Sequence, residues 1–196
     1  MKTAIATAAA RTTNDDRAVV LTVGDRTVIA LADGAGGVGN GARAAQAWID
    51  AVGANPTSAA WAAALEELDR DVAKRGPGQT TAIAIEVRAD SLAGVCVGDS
   101  AVWLVTDLEV IDLAEHVPPK PLVGDGCMAY EIASSFDRGT LLVASDGLVK
   151  YASRDRIASI ARGEDLDAAT HALIELVRLP SGKLQDDTTV VLVRRP

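Results

Sequence analysis

The residues of this chain that could do chemistry are aspartates placed where apolar runs end. Asp33 follows the apolar run 28–32 and precedes a glycine-rich stretch, in the segment TVIALADGAGGVGNG over 27–41. An apolar run bounded by glycine predicts a buried strand, so Asp33 is expected at the end of that strand. A lone carboxylate there is costly to remove from water unless a cation or hydrogen-bond donors compensate it.

The same arrangement recurs along the chain. Other acids at the ends of apolar runs are Asp15 and Asp16 before 18–23, Asp99 after 92–97, Asp146 after 141–144, and Asp186 and Asp187 before 188–193. Each of these alone reads as an ordinary turn residue. If the strand ends meet at one rim, however, the carboxylates must share cations. Ligation by oxygen alone suits Mg²⁺ or Mn²⁺.

Composition sets the class of protein in which these acids act. The chain has 196 residues, of which 48% are hydrophobic, and this predicts one domain over 1–196 with a sizeable core. A formal charge of -8 argues against a nucleic-acid partner, since such proteins usually carry a basic face. The sequence has no apolar run of membrane-spanning length and only a weak, alanine-rich start, so we expect a cytoplasmic protein with no membrane association.

The two cysteines form neither a disulfide framework nor a zinc spacing. Cys96 falls inside a predicted strand and Cys127 in a loop. A Cys127 nucleophile served by His116 is an alternative, but nothing in the local sequence supplies an activating geometry for it.

The elements that must position the acids come from hydrophobic periodicity. Strands are predicted at 3–9, 17–23, 27–32, 80–88, 92–97, 101–106, 108–113, 140–144 and 188–194, and helices at 41–52, 56–74, 153–161 and 166–179. Trp48 falls on the apolar face of the first helix, and Asn55-Pro56 is expected to open the second. The least structured part is 114–136. Because the helices come in consecutive pairs, the pattern favours antiparallel sheets covered by helix pairs over a parallel sheet.

A competing interpretation rests on Gly34, Gly36 and Gly39, which satisfy the dinucleotide fingerprint G-x-G-x-x-G after a strand and before a helix. That fingerprint needs a second strand soon after the helix, whereas a second helix is predicted here. Asp33 would also place a negative charge against the pyrophosphate. We therefore set this interpretation aside.

Six short motifs, taken in order, resemble the motif series of the protein phosphatase 2C family, the metal-dependent serine/threonine phosphatases. They are RTTNDD at 11–16, DGAGG at 33–37, GQTTA at 78–82, VGDS at 97–100, ASDGL at 144–148 and QDDTTVV at 185–191. The resemblance implies an α+β fold: a four-layer α-β-β-α sandwich, with two antiparallel β-sheets flanked by pairs of antiparallel helices.

The resemblance also implies roles for individual residues. Asp33 is similar to the carboxylate that bridges two Mn²⁺ or Mg²⁺ ions, with the Gly34 carbonyl on one of them. Asp146 and Asp186 would complete the other ion. Asp15 and Asp16 would hold metal-bound waters, and Arg11 matches the arginine that grips the substrate phosphate through two parallel donors. Arg17 is a rival cation that we expect to face solvent.

The chemistry implied is hydrolysis of phosphoserine or phosphothreonine in a phosphorylated protein. Two ions sharing Asp33 would lower the pKa of a bridging water, and the resulting hydroxide would attack phosphorus in line. The alternative is a pseudophosphatase, the same fold used as a phosphoprotein-binding module without turnover. A monomer is favoured.

Three departures from the family pattern bear on this prediction. Ala35 stands where some relatives place a histidine proposed as general acid. Asp99 and Asp146 match two ligands of a weaker third metal, but Lys150 replaces the remaining carboxylate, so we predict that the third site is weak or empty. The stretch between Asp112 and Asp137 is too short for the usual flap subdomain.

Overall fold

The computed structural model describes residues 1–35, 40–75 and 78–195. Its strands are β1 Lys2–Ala8, β2 Arg17–Val23, β3 Arg26–Ala32, β4 Gly34–Ala35, β5 Gln79–Thr80, β6 Ala82–Val87, β7 Ser91–Val97, β8 Ala101–Val105, β9 Val110–Asp112, β10 Tyr130–Ser135, β11 Thr140–Ala144 and β12 Thr188–Arg194. Its helices are α1 Gly41–Ala54, α2 Ser58–Arg75, α3 Asp146–Val149, α4 Arg154–Ala161 and α5 Leu166–Leu176. No helix among the described residues is long and apolar enough to cross a membrane.

The strands form two five-stranded antiparallel sheets. The order is β1-β12-β11-β8-β9 in the first sheet and β10-β7-β6-β3-β2 in the second, while β4 and β5 pair separately. Helices α4 and α5 pack on the first sheet, and α1 and α2 pack on the second. The predicted four-layer α-β-β-α sandwich is therefore confirmed.

Strand β3 shows why the central strands read as continuous apolar runs. Ile29 and Leu31 face the core between the two sheets, while Val28, Ala30 and Ala32 face the helix pair above the second sheet. Successive side chains of a strand point to opposite faces, so a strand covered on both sides must be apolar throughout. The run ends at Asp33 because the covered part of the sheet ends there.

Trp48 anchors α1 to this sheet, as the periodicity predicts. Its side chain is fully buried, and its indole Nε1–H donates to the carbonyl of Ile83 at 2.9 Å. Trp61 anchors α2 in the same way, donating to the carbonyl of Asn55 at 3.0 Å. Burying an indole requires such a partner for its N–H.

Several element predictions are corrected by the structure. The segment 114–136 contains β10, an edge strand that sequence reasoning missed because Ile132 is its only fully buried residue. Helix α2 begins at Ser58, and Asn55 instead closes α1 by donating to the carbonyl of Ala51. Helix α5 ends at Leu176, three residues before the predicted end. Gly36 and Gly39 of the dinucleotide fingerprint lie outside the described residues. The fingerprint would need a strand soon after α1, but the next element is the helix α2.

Two buried carboxylates stabilise the second sheet and its helices. Asp69 on α2 accepts hydrogen bonds from three backbone N–H groups of the loop 124–127, at 2.7 to 3.2 Å. Burial alone would raise the pKa of Asp69, but these hydrogen bonds outweigh it and the pKa lies below its ordinary value. Glu86, only 1% exposed, is paired with Arg26 at 2.7 Å and with Arg88 at 2.6 Å. Both carboxylates are compensated by partners of the kind that buried charge requires.

Candidate metal centre

The sheet registers bring the acidic strand ends to one edge of the sandwich. In the first sheet, Ala144 at the end of β11 pairs with Val190 near the start of β12 and with Ala101 at the start of β8. Asp146, Asp186 and Asp99 adjoin these three strand ends. In the second sheet, Asp33 follows β3, whose partner β6 begins beside the end of β7. Acids that lie far apart in the sequence therefore share one rim.

Main-chain hydrogen bonds fix the position of Asp33. Its N–H donates to the hydroxyl of Thr81, and its carbonyl accepts from the Thr80 hydroxyl and the Thr81 N–H, each at 2.9 Å. The Thr81 hydroxyl is in turn 2.8 Å from that of Ser100. These threonines belong to the motif at 78–82, whose sequence alone suggested no role for them. Their contacts show that they hold the central carboxylate in place.

Asp16 is the most deeply buried acid of the cluster. It is 3% exposed, and its Oδ2 accepts from the Ser145 hydroxyl at 2.7 Å. The Ser145 hydroxyl also accepts from the N–H of Thr189 at 2.9 Å. This chain of contacts joins the loop before β2 to the ends of β11 and β12.

Asp187 organises the loop that carries Arg11, a role that sequence reasoning missed. Its carboxylate accepts from the backbone N–H of Ala10 at 2.7 Å and from that of Asp15 at 2.6 Å. The signal available in the sequence was only its place beside Asp186. Because the loop is tied at both ends to the residue after Asp186, Arg11 lies at the same rim as the acids.

Two glycines allow the backbone segments of the centre to approach closely. A Cβ added to Gly34 would lie 2.4 Å from the carbonyl carbon of Gly41 and 2.8 Å from the carbonyl oxygen of Asp15. A Cβ added to Gly147 would lie 2.0 Å from the carbonyl oxygen of Asp187. The first approach places Asp15 beside Gly34, and the second places Asp146 beside Asp186.

Burial and mutual repulsion shift the pKa values of these acids upward. Burial raises the pKa of Asp33 to about 9, reinforced by the charges of Asp16, Asp146, Asp186 and Asp99. Burial likewise raises the pKa of Asp16 to about 6, against the lowering effect of the Ser145 hydroxyl. Burial also raises the pKa of Asp146, while its hydrogen bond from Lys150 lowers it. Shifts of this direction mean that the cluster lacks enough positive charge to ionise fully.

The donor set, which consists of carboxylate oxygens, suits a hard divalent cation. Asp16 Oδ1 and Asp146 Oδ1 are buried and have no hydrogen-bond partner among the described residues. Buried oxygens without a donor are costly, and oxygen-only clusters suit Mn²⁺ or Mg²⁺. Within the described residues, no three acidic, histidine or cysteine side chains are yet close enough together to hold an ion.

Lys150 is a cation that contacts two of the acids at this rim. Its ammonium group forms an ion pair with Asp146 Oδ2 and lies 3.3 Å from Asp99 Oδ2. The side chain is half exposed, and the hydrogen bond to Asp146 is the main cause that raises its pKa above the ordinary value. Lys150 thus stands between the two acids that match ligands of the third metal.

The remaining predicted residues also lie at the rim, with different surroundings. Arg11 is exposed and has no hydrogen bond or ion pair with any residue the structure describes. Arg17, expected to face solvent, instead donates to the carbonyls of Asn14 and Asp16, at 2.7 and 2.6 Å. That expectation is met only in part, because the residue is partly buried and carbonyls of the loop before β2 accept hydrogen bonds from the guanidinium. Ala35 lies in the two-residue strand β4, where it pairs with Gln79 of β5, and it carries no titratable group.

The cysteine alternative is contradicted by the thiol environments. Burial raises the pKa of Cys127 to about 12, with the Asp69 carboxylate acting in the same direction. Burial also raises the pKa of Cys96 to about 12. His116 packs edge-on against Tyr130, with ring centroids 6.2 Å apart. Thiols that stay protonated at neutral pH are poor nucleophiles.

Comparison with solved structures gives the class of fold. The S. agalactiae serine/threonine phosphatase is 23% identical with a TM-score of 0.86, covering 100% of this chain and 99% of the other. Stp1 from Staphylococcus aureus, also a serine/threonine phosphatase, is 16% identical with a TM-score of 0.85, covering 100% and 95%. The catalytic domain of the serine/threonine phosphatase PstP, solved with two manganese ions, is 22% identical with a TM-score of 0.81, covering 97% and 96%.

These likenesses extend over the whole chain and confirm the fold that the motif series predicts. The chain has the fold of the bacterial serine/threonine phosphatases. No protein-family model and no curated protein sequence matches it.

Proposed function

We propose that this chain is a metal-dependent protein phosphatase that hydrolyses phosphoserine and phosphothreonine in cytoplasmic proteins. The observation that carries the proposal is the convergence of Asp33, Asp146 and Asp186 at one rim, where Asp146 Oδ1 and the neighbouring Asp16 Oδ1 are buried without a donor among the described residues. Such a cluster needs cations to be stable in its ionised form. The likeness to phosphatases of the same fold supports this conclusion.

The proposed ligands follow from the placement of the residues. Asp33, with its main chain held by Thr80 and Thr81, would bridge two Mn²⁺ or Mg²⁺ ions, with the Gly34 carbonyl on one of them. Asp146 and Asp186, brought together by the close approach at Gly147, would complete the other ion. Asp15 and Asp16 would orient water molecules bound to the ions, a role that needs no direct bond to metal.

Arg11 would bind the substrate phosphate. Its guanidinium is exposed at the rim and has no partner among the described residues, so all of its donors are available. The planar fork of donors matches two phosphate oxygens at once. Divalent ions held by these residues would supply a hydroxide, formed from a bound water, as the nucleophile for phosphorus. Because Ala35 cannot donate a proton, the leaving alkoxide takes its proton from water rather than from this side chain.

The enzyme would recognise its substrate mainly through the phosphate group. Between Asp112 and Asp137 the chain forms only β10 and the loop before it, which Asp69 holds against α2. A segment this short gives few contacts to the polypeptide around the phosphorylated residue. We therefore propose a monomeric enzyme with broad acceptance of phosphoprotein sequences.

The second candidate is a pseudophosphatase that binds a phosphoprotein without hydrolysing it. One observation favours it: the ion pair of Lys150 with Asp146 occupies a carboxylate that a metal would need. In that case, Lys150 and Arg11 would provide the positive charge for the phosphate. Carboxylates are nonetheless present at all three proposed side-chain ligand positions, Asp33, Asp146 and Asp186, and this favours the enzyme.

Hydrolysis of p-nitrophenyl phosphate and of a phosphothreonine peptide with Mn²⁺ separates the two candidates. The enzyme predicts manganese-dependent turnover that Asp146→Asn lowers at least about a hundredfold, since one ligand of an ion is lost. Asp155→Asn, an exposed aspartate on α4, is the matched control and should leave the rate unchanged. Peptide binding without manganese-dependent turnover would establish the binding module instead.

A further inference from the structure

A positively charged pocket lies at the end of the first sheet opposite the metal centre. It has a volume of about 350 Å³, and its charged lining consists of Arg138, Arg162, Arg194, Arg195, Asp107 and Asp137. Thr140, also in the lining, begins the strand β11 whose far end leads to Asp146. Strand β12 runs from Thr188, two residues after Asp186 at the metal centre, to Arg194 at this pocket. At about 3.3 Å per residue, its seven residues place the two sites about 20 Å apart.

The four arginines concentrate positive charge on a chain whose formal charge is -8. None of them has a carboxylate partner within ion-pair distance among the described residues, although Asp107 and Asp137 also line the pocket. Like charges gathered in a concave site repel each other unless an anion compensates them. Because four arginines face two aspartates, the lining keeps an excess of positive charge, and this excess points to an anionic ligand from outside the chain.

Backbone carbonyls hold three of the guanidinium groups in place. Arg194 donates to the Thr140 hydroxyl and to the carbonyl of Ala161, both at 2.8 Å. Arg162 donates to the carbonyl of Thr106 at 2.8 Å. Arg195 donates to two consecutive carbonyls, at 136 and 137, at 3.3 and 3.2 Å. Each guanidinium has five N–H donors, so each keeps donors free for a ligand after making these bonds.

We propose that this pocket is a binding site for a phosphate group, separate from the metal centre. Guanidinium forks pair with the oxygens of a phosphate in a planar, bidentate geometry, and partly fixed side chains lose less entropy on binding. The phosphate could be free in solution or carried by a phosphorylated peptide. The site is independent of the proposed enzymatic activity, because it needs no metal ion.

Titration of the metal-free protein with inorganic phosphate, in the presence of a chelator, tests this site without the metal centre. In ¹⁵N-resolved NMR spectra, we expect shifts at the Gly139 amide and at the Nε–H of Arg162 and Arg194. Arg138→Gln and Arg195→Gln should each weaken binding about tenfold, the effect of losing one charged donor. Arg156→Gln, an exposed arginine on α4 outside the pocket, is the matched control and should leave binding unchanged.

A second titration with a phosphoserine peptide identifies the source of the phosphate. Tighter binding of the peptide than of inorganic phosphate assigns the site to phosphorylated protein, and the reverse order assigns it to free phosphate. The proposal is overturned if phosphate does not bind, if Arg138→Gln and Arg195→Gln bind it as well as the parent chain, or if the shifts occur around Arg11 instead. Because the titrations use metal-free protein, the absence of phosphatase activity would not affect this test of phosphate binding.

Discussion

Replacing Lys150 tests how the chain's own cation interacts with the metal ions proposed for the rim. The Lys150 ammonium pairs with Asp146 and lies 3.3 Å from Asp99, and the lysine side chain is 50% exposed. A metal ion that takes Asp146 as a ligand must displace this ion pair. A half-exposed pair of this kind contributes about 0.5–1 kcal/mol. The Lys150→Gln variant should therefore bind Mn²⁺ about two- to fivefold more tightly, since 1.4 kcal/mol corresponds to a factor of ten.

Isothermal titration calorimetry at low salt measures this change directly. Circular dichroism of the metal-free variant serves as the control for folding. Lys150→Asp provides a second variant, because it restores a third carboxylate beside Asp99 and Asp146 and should add a third manganese ion. Unchanged or weaker Mn²⁺ binding in Lys150→Gln would refute the competition argument. Unchanged stoichiometry and activity in Lys150→Asp would refute the prediction that Lys150 keeps the third site weak or empty.

Three further predictions concern the stability of the second sheet and the segments packed against it. Asp69→Asn should cost about 1–2 kcal/mol, because three loop N–H groups lose a charged acceptor. Because the pKa of Asp69 is lowered in the folded chain, this contribution to stability is present above the ordinary pKa of 3.8 and is lost as the pH falls below that value. Urea unfolding at about pH 5 and pH 3 should therefore show the difference in unfolding free energy between variant and parent becoming smaller. A constant difference would contradict this prediction. Gly34→Ala should destabilise the chain by about 1–3 kcal/mol and weaken Mn²⁺ binding, because the added Cβ meets the backbone of Gly41. The control Gly53→Ala, with open space around the added Cβ, should be neutral or stabilising. Equal effects of the two changes in thermal unfolding would count against the close approach at Gly34. Glu86→Gln should lower the free energy of unfolding, measured with denaturant, by about 2 kcal/mol. This is less than for a fully buried ion pair, because the two arginine partners of Glu86 reach solvent. A loss below about 0.5 kcal/mol would mean that these ion pairs contribute little.

The strand-end placement of the acids could be predicted because it depends on local sequence. A strand covered on both faces must be apolar along its length, so the first carboxylate after such a run marks the place where the cover ends. Asp33 after β3 and Asp146 after β11 follow this rule. The helices come in two consecutive pairs along the chain, and this order was enough to predict two sheets that each carry one helix pair on one face.

The features that sequence reasoning missed depend on contacts between distant segments. The anchoring of the loop 10–15 by Asp187 requires the chain to return to the same rim after about 170 residues. Strand β10 was missed because Ile132 is the one buried residue among its six, which is too few to give an alternating apolar pattern. The arginine pocket is assembled from positions 138, 162, 194 and 195, which no local pattern connects.

Counting the manganese ions bound per chain tests the central claim most directly. Equilibrium dialysis against Mn²⁺ should give two ions for the parent chain. For Asp33→Asn, which removes the carboxylate proposed to bridge them, it should give one ion or none. The account would be contradicted if the parent chain bound no manganese, or if Asp33→Asn bound as much as the parent chain.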